Sequence, residues 1–182
     1  SAASDVYKRQ FEDFIDFVSE CLAWHPDLHI YHYASYEPTA LGRLMGKHAT
    51  REEEVDALFR GRVLVDLYRV ARQSLCVGTP SYSLKKLEAL YMTARTGAIT
   101  DAGSSVAEYE RWLEAGDGTI LTDLESYNRV DCDSTRRLRD WLEERRAEYA
   151  TTFGIWPLRP LHTDGQASDA VTAEISDTAE LK

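Results

Sequence analysis

The sequence predicts a layered α/β domain, and three observations predict it. Two short runs rich in β-branched and aromatic residues, at 28–33 and 63–67, read as strands. Helical periodicity fills most of the chain between and after them. Apolar residues make up 43% of the 182 residues, enough to bury a core. Two strands against many helices are few for such a domain, so most of the sheet is expected from sequence outside this chain.

The elements follow in order. Residues 1–10 are expected to be a non-native segment. The run DVYKRQ at 5–10 resembles a translated transposon-end adapter, and an ordinary polar N-terminal segment is the alternative. On the first reading, natural sequence upstream has been lost. From Phe11 the residues Phe11, Phe14, Ile15, Val18, Cys21 and Leu22 recur on one helical face, and Pro26 stops that helix. The run LHIYHY at 28–33 is the first strand. Glu37 and Pro38 turn the chain, Pro38 suiting a first helical position, and Leu41, Leu44 and Met45 mark the next apolar face. Thr50 and Glu53 have the spacing of a capping box ahead of Val55, Leu58 and Phe59. Residues 63–67 form the second, buried strand.

The C-terminal half is helix-rich. Ser81 or Ser83 caps a helix carrying Leu84, Leu87, Leu90 and Tyr91. Ser105 and Glu108 supply another capping box, before Tyr109, Trp112 and Leu113. Gly116, Asp117 and Gly118 break the chain. A long helical pattern then runs from about Thr119 to Tyr149, with room for one kink. Gly154, Pro157, Pro160 and Gly165 lead out of it. The domain division is thus 1–10 as a foreign segment, 11–149 as the domain, and 150–182 as a linker or disordered tail that packs poorly beyond Pro160.

Composition narrows the function classes. Cys21, Cys76 and Cys132 are odd in number and never form a CxxC pair, which argues against a disulfide framework and a zinc knuckle. Lys plus Arg number 21 against 31 Asp plus Glu, a net charge of −10. Sequence-independent nucleic-acid binders usually present a basic surface, so any such activity here rests on local positive charge or bound metal. No apolar run reaches bilayer-spanning length and no signal peptide is evident, so a cytoplasmic protein without membrane contact is expected. No Gly-rich phosphate loop is present, which excludes a helicase motor.

Two segments carry chemistry. Ile120, Leu124, Tyr127, Leu138 and Leu142 line one face of the long helix, and Asp131 falls on that face. A carboxylate inside an apolar stripe is costly unless it is paired, hydrogen-bonded or metal-bound. Tyr127 lies one turn earlier, about 5–6 Å away at Cβ. Alternatively Asp131 caps a second helix, with Asp133 and Ser134 as competing caps. The other segment ends the first strand, where Glu37 sits at a helix start. Active sites of α/β proteins gather at such strand ends, but an acidic residue there also simply complements the helix dipole. Asp66, at the end of the second strand, is a possible secondary metal contact through water or a structural hydrogen-bond acceptor. Lys85, Lys86 and Arg95 are candidate phosphate contacts or plain solvated charges.

Taken together, these segments resemble a known family. Tyr127 to Asp131, reading YNRVD, is similar to the YxxxD motif of the DEDDy exonucleases. His32, Tyr33, Tyr36, Glu37 and Leu41 are similar to the second motif of that family, with Glu37 in place of its usual Asp and Tyr33 where Asn is common. Residues 63–67 with Arg72, followed by SYSLKKLE at 81–88, resemble the ribonuclease-H-like domain of YprB-like proteins and RecB-family nuclease–helicase fusions. The resemblance covers about 11–146. It implies a three-layer ribonuclease-H-like α/β fold whose first strands are missing, and a 3′→5′ exonuclease acting on DNA. It implies two Mg²⁺ or Mn²⁺ ions held by carboxylates, with Glu37 and Asp131 as ligands facing one cleft, Tyr127 orienting the attacking water, and fused RecB-like nuclease and helicase domains as partners. The family's first motif, D-x-E on the first strand, is not found before Phe11, so the chain as it stands is expected to be inactive. A non-catalytic nucleic-acid-binding or scaffolding domain of such a protein is the alternative reading.

Overall fold

A computed structural model of the chain describes residues 2–93 and 102–159. The described residues form two compact units, the first built from Ser1–Ile30 and Ser35–Val65, the second from Tyr31–Ala34 and Asp66–Pro157.

In the first unit, helix α1 spans Ala2–Trp24. The periodic face read from Phe11 is the buried part of a helix that begins nine residues earlier. Phe11, Ile15 and Val18 are buried, as their i, i+4, i+7 spacing requires. Phe14, placed on the same face by the sequence, is instead exposed, along with Phe17 and Trp24. Helix α2 spans Tyr36–His48 and α3 spans Glu52–Arg60. Val55, Leu58 and Val63 complete the core with the α1 residues, and Leu41, Leu44 and Met45 of α2 pack against it. Pro38 is the third residue of α2, not the first, because Ser35 takes the N-cap position.

The expected capping box at Thr50 and Glu53 does not form. The N-cap of α3 is Arg51, in left-handed backbone, with no side-chain cap. The Thr50 hydroxyl donates instead to Glu12 Oε1 on α1 at 2.7 Å. Arg51 donates through Nε and Nη2 to both carboxylate oxygens of Asp16, at 2.6 and 2.7 Å. That bidentate pair ties α3 to α1 and holds the Asp16 carboxyl below its ordinary range. The strained left-handed turn at Arg51 is thus held by its own guanidinium.

The strands are shorter than expected. Strand β1 is Ile30–His32 and β2 is Leu64–Asp66, and they pair in parallel as a two-stranded sheet. The Ile30 N–H donates to the Val63 carbonyl at 2.8 Å, which sets the register. An α/β architecture is therefore present, with α2 and α3 making the crossover between the strands.

Leu67, assigned to the second strand by the sequence, begins helix α4, Leu67–Ser74. The cause is Asp66, whose Oδ1 accepts the Tyr68 N–H at 2.9 Å and caps that helix. The second unit continues with α5, Leu84–Leu87, whose N-cap is Ser83, and a 3₁₀ turn, Glu88–Leu90. Helix α6, Ala102–Ala115, starts ahead of Ser105, so Ser105 is inside the helix and is not its N-cap. Helix α7 is Gly118–Phe153, capped by Asp117 Oδ1 accepting the Thr119 N–H at 2.9 Å. It runs unbroken through residues 119–149 and four residues beyond, to a left-handed Gly154 that donates to Ala150 O. Arg146 then accepts the returning chain, donating twice to Pro157 O and stacking on Trp156. Arg95 and the expected tail beyond Pro160 lie outside the described residues. Among the described residues, no helix is long and apolar enough to cross a membrane.

Candidate active site

Helix α7 decides how Asp131 is to be read. Because the helix is continuous, Asp131 caps nothing; it is a half-buried carboxylate in mid-helix. Ile120, Tyr127, Ser134 and Leu138 are the buried residues of α7, so its inner stripe passes directly beside Asp131. Leu124 and Leu142 are only half-buried. Asp133 is exposed and ion-pairs with Arg136 at 3.4 Å.

Short polar contacts cross from the 84–91 segment to α7. Lys85 Nζ donates to the Tyr127 hydroxyl at 2.8 Å and lies 4.8 Å from the centre of its ring. One turn further on, the Ser134 hydroxyl donates to Glu88 Oε1 at 2.7 Å. The Tyr91 hydroxyl joins Ser134 at 3.0 Å. Glu88 and Ser134 are both buried, so this is a hydrogen-bonded acid within the protein interior.

The end of β1 is built from the same unit. Ala34 adopts left-handed backbone, and its N–H donates to Asp66 Oδ1 at 2.9 Å. Asp66 Oδ1 therefore serves two backbone donors, Ala34 and Tyr68, which is the structural of its two expected roles. Buried His32 places Nδ1 2.6 Å from Ala34 O. The Tyr33 hydroxyl donates to Tyr82 O, and its ring meets Tyr68 edge-on at 5.6 Å. Burial raises the Tyr33 phenol above its ordinary range, and Tyr91, Tyr68 and Asp66 add to the rise. Tyr33 stays neutral and acts as a fixed donor between two segments.

The predicted site residues are distributed as follows. Tyr127, Asp131 and Asp66 belong to the second unit. Glu37 belongs to the first unit, where it is exposed in the first turn of α2, the position expected of an acid that complements the helix dipole. Carboxylates are the right donors for a hard divalent ion. Among the described residues, however, no three His, Cys, Asp or Glu side chains are grouped as a metal site. The donor type fits a divalent metal and the number does not, so the described residues supply at most part of a cage.

Against this geometry the family can be read. The pattern of the RNase H superfamily matches residues 4–143, well over half of the chain. The chain belongs to the RNase H superfamily. No curated protein and no solved structure matches it. An RNase H-like domain accounts for a parallel strand pair joined by a helical crossover and for a long C-terminal helix carrying an inward acid. The match begins at residue 4, inside the segment 1–10.

Lys85, Glu88, Tyr91 and Ser134 are the polar residues of this site that the sequence reading passed over. A signal was available for Glu88. Leu84, Leu87, Glu88 and Tyr91 have i, i+3, i+4, i+7 spacing, which places Glu88 on an apolar face by the same argument that singled out Asp131. Ser134 lies seven residues after Tyr127, on the same stripe. Ser134→Ala is expected to cost on the order of 2 kcal/mol, because it leaves the buried Glu88 carboxyl without that donor. Urea unfolding of the chain checks this, and a loss below about 0.5 kcal/mol would show that the contact contributes nothing net.

Proposed function

We propose that this chain is part of a metal-dependent nuclease domain that hydrolyses phosphodiester bonds, acting as a 3′→5′ exonuclease on DNA within a larger YprB-like or RecB-like nuclease–helicase protein. The observation that carries the proposal is Asp131, a half-buried carboxylate in the middle of an unbroken helix, one turn after a buried tyrosine. A structural aspartate is common at helix ends and costly at such a place, whereas a ligand for a hard cation belongs there. Membership of the RNase H superfamily supports nucleic acid as the substrate.

In this reading Asp131 offers a carboxylate to a divalent ion, and Glu37 is the second such residue assigned by its motif. A pair of Mg²⁺ or Mn²⁺ ions, when bound, would activate the attacking water and stabilise the leaving oxygen. The chain's own contribution is positional. Tyr127, held in the helix interface, orients the attacking water beside Asp131. Helix α7 keeps the two side chains on one face.

The alternative is a non-catalytic nucleic-acid-binding or scaffolding domain of the same kind of protein. The net charge of −10 and the substitution of Tyr33, whose hydroxyl is committed to Tyr82 O, favour it. The two readings separate in one experiment on the full-length protein encoded by the gene. Single-stranded DNA labelled at either end is incubated with Mg²⁺ or Mn²⁺, with and without EDTA. Stepwise shortening from the 3′ end that stops with EDTA is expected. Binding without cleavage at either ion would decide for the scaffolding reading.

A further inference from the structure

We infer that Lys85 is a positioning residue that acts through Tyr127, fixing that hydroxyl as a hydrogen-bond donor toward the oxygen of the attacking water. The inference rests on the nuclease reading and assigns a role to a residue outside its motifs.

The argument begins with donor and acceptor chemistry. A lysine ammonium carries three donors and no acceptor, whereas a phenol has one donor and accepts at its oxygen. In the 2.8 Å contact between Lys85 Nζ and Tyr127 Oη, the phenol must therefore be the acceptor. Its single proton is then directed away from Lys85, toward an acceptor elsewhere. A water oxygen held beside Asp131 is an acceptor of the right kind. Without the ammonium the hydroxyl rotates about its C–O bond and serves equally as acceptor or donor, so water is held in two orientations, of which one suits attack.

The geometry makes this a restrained contact. Lys85 also lies 4.8 Å from the Tyr127 ring centre, a cation–π distance, so it touches the phenol from two directions. Tyr127 is buried and Lys85 half-buried, which limits solvent competition for the contact. The lysine stands on the short helix Leu84–Leu87, and that segment is anchored to α7 by the Glu88 contact to Ser134. Lys86, its neighbour, is exposed and has the solvated position expected of a surface charge. The two adjacent lysines thus have different roles, and K86M serves as the control.

The test has two arms. In the chain itself, ¹⁵N-lysine spectra are expected to show a slowly exchanging Lys85 ammonium that is lost in Y127F and unaffected by K86M. A Lys85 ammonium exchanging like that of Lys86 would overturn the inference without reference to catalysis. In the full-length protein, kcat and KM on single-stranded DNA are measured for K85M, K85R, Y127F, K85M/Y127F and D131N. K85M is expected to lower kcat about tenfold at nearly constant KM, as for a misplaced reacting group. K85R is expected to recover most of that loss, and the double variant to be no slower than Y127F. Effects of K85M and Y127F that multiply, or a rise in KM alone, would show Lys85 gripping substrate by itself and overturn the inference. Wild-type activity in Y127F beside an inactive D131N overturns the inference and leaves the nuclease reading standing. Full activity in D131N removes the reading and the inference together.

Discussion

Asp131→Asn in the full-length protein is expected to slow DNA degradation by at least about 100-fold without lowering stability. The two halves of this expectation have one cause. Asparagine matches aspartate in size but removes the anionic oxygen that a divalent ion requires, so the attacking group loses its placement. The same change removes a charge from a half-buried position in the middle of α7, where a charge is a cost to folding. A structural carboxylate would give the opposite result, a lower melting temperature with activity retained. Thermal unfolding and the end-labelled degradation assay, run on one preparation, distinguish the two. Retained activity would remove Asp131 from the site whatever the melting temperature shows.

Much of the helical framework was legible in the sequence because apolar spacing determines it. Phe11, Ile15 and Val18 are buried as their spacing requires, and the pattern from Thr119 to Tyr149 lies within one helix. The errors lie where a local hydrogen bond competes with a pattern. The run 63–67 looks like a strand throughout, yet Asp66 captures the Tyr68 N–H and turns Leu67 into a helix start. Thr50 and Glu53 have ideal capping-box spacing, but the Thr50 hydroxyl finds Glu12, 38 positions away in sequence. No window of the sequence around Thr50 contains that partner.

The candidate site was legible where one residue breaks a pattern and hidden where two segments meet. Asp131 stands out within α7 by itself. Its alternative role as a cap depended on a helix break that is absent. Lys85 was read as a solvated charge because nothing near 85 in the sequence announces Tyr127, 42 positions later. Glu88 shows the intermediate case. Its spacing marked it as buried, but its partner Ser134 is visible only once the segments pack.

This chain by itself is expected to leave single-stranded DNA intact, whereas the same chain joined to a strand bearing the D-x-E motif is expected to degrade it. Two divalent ions held close together repel each other, so a working site needs several carboxylates to neutralise them. Among the described residues no three candidate ligand side chains are grouped. Asp131 therefore lacks the neighbours that would complete a cage within its own unit. Added carboxylates should raise the rate by more than the roughly 100-fold that a 1 Å misplacement costs, because they supply binding as well as placement. The exposed aromatics of α1, Phe14, Phe17 and Trp24, add a physical consequence. Uncovered, they should make the isolated chain self-associate, and a preceding strand that packs on α1 should suppress this. The check pairs a degradation assay with light scattering, on the isolated chain and on the chain extended by the upstream sequence of its gene. Equal degradation by the two proteins would show that the catalytic residues all lie between 1 and 182, outside the set assigned to Asp131, Tyr127 and Glu37.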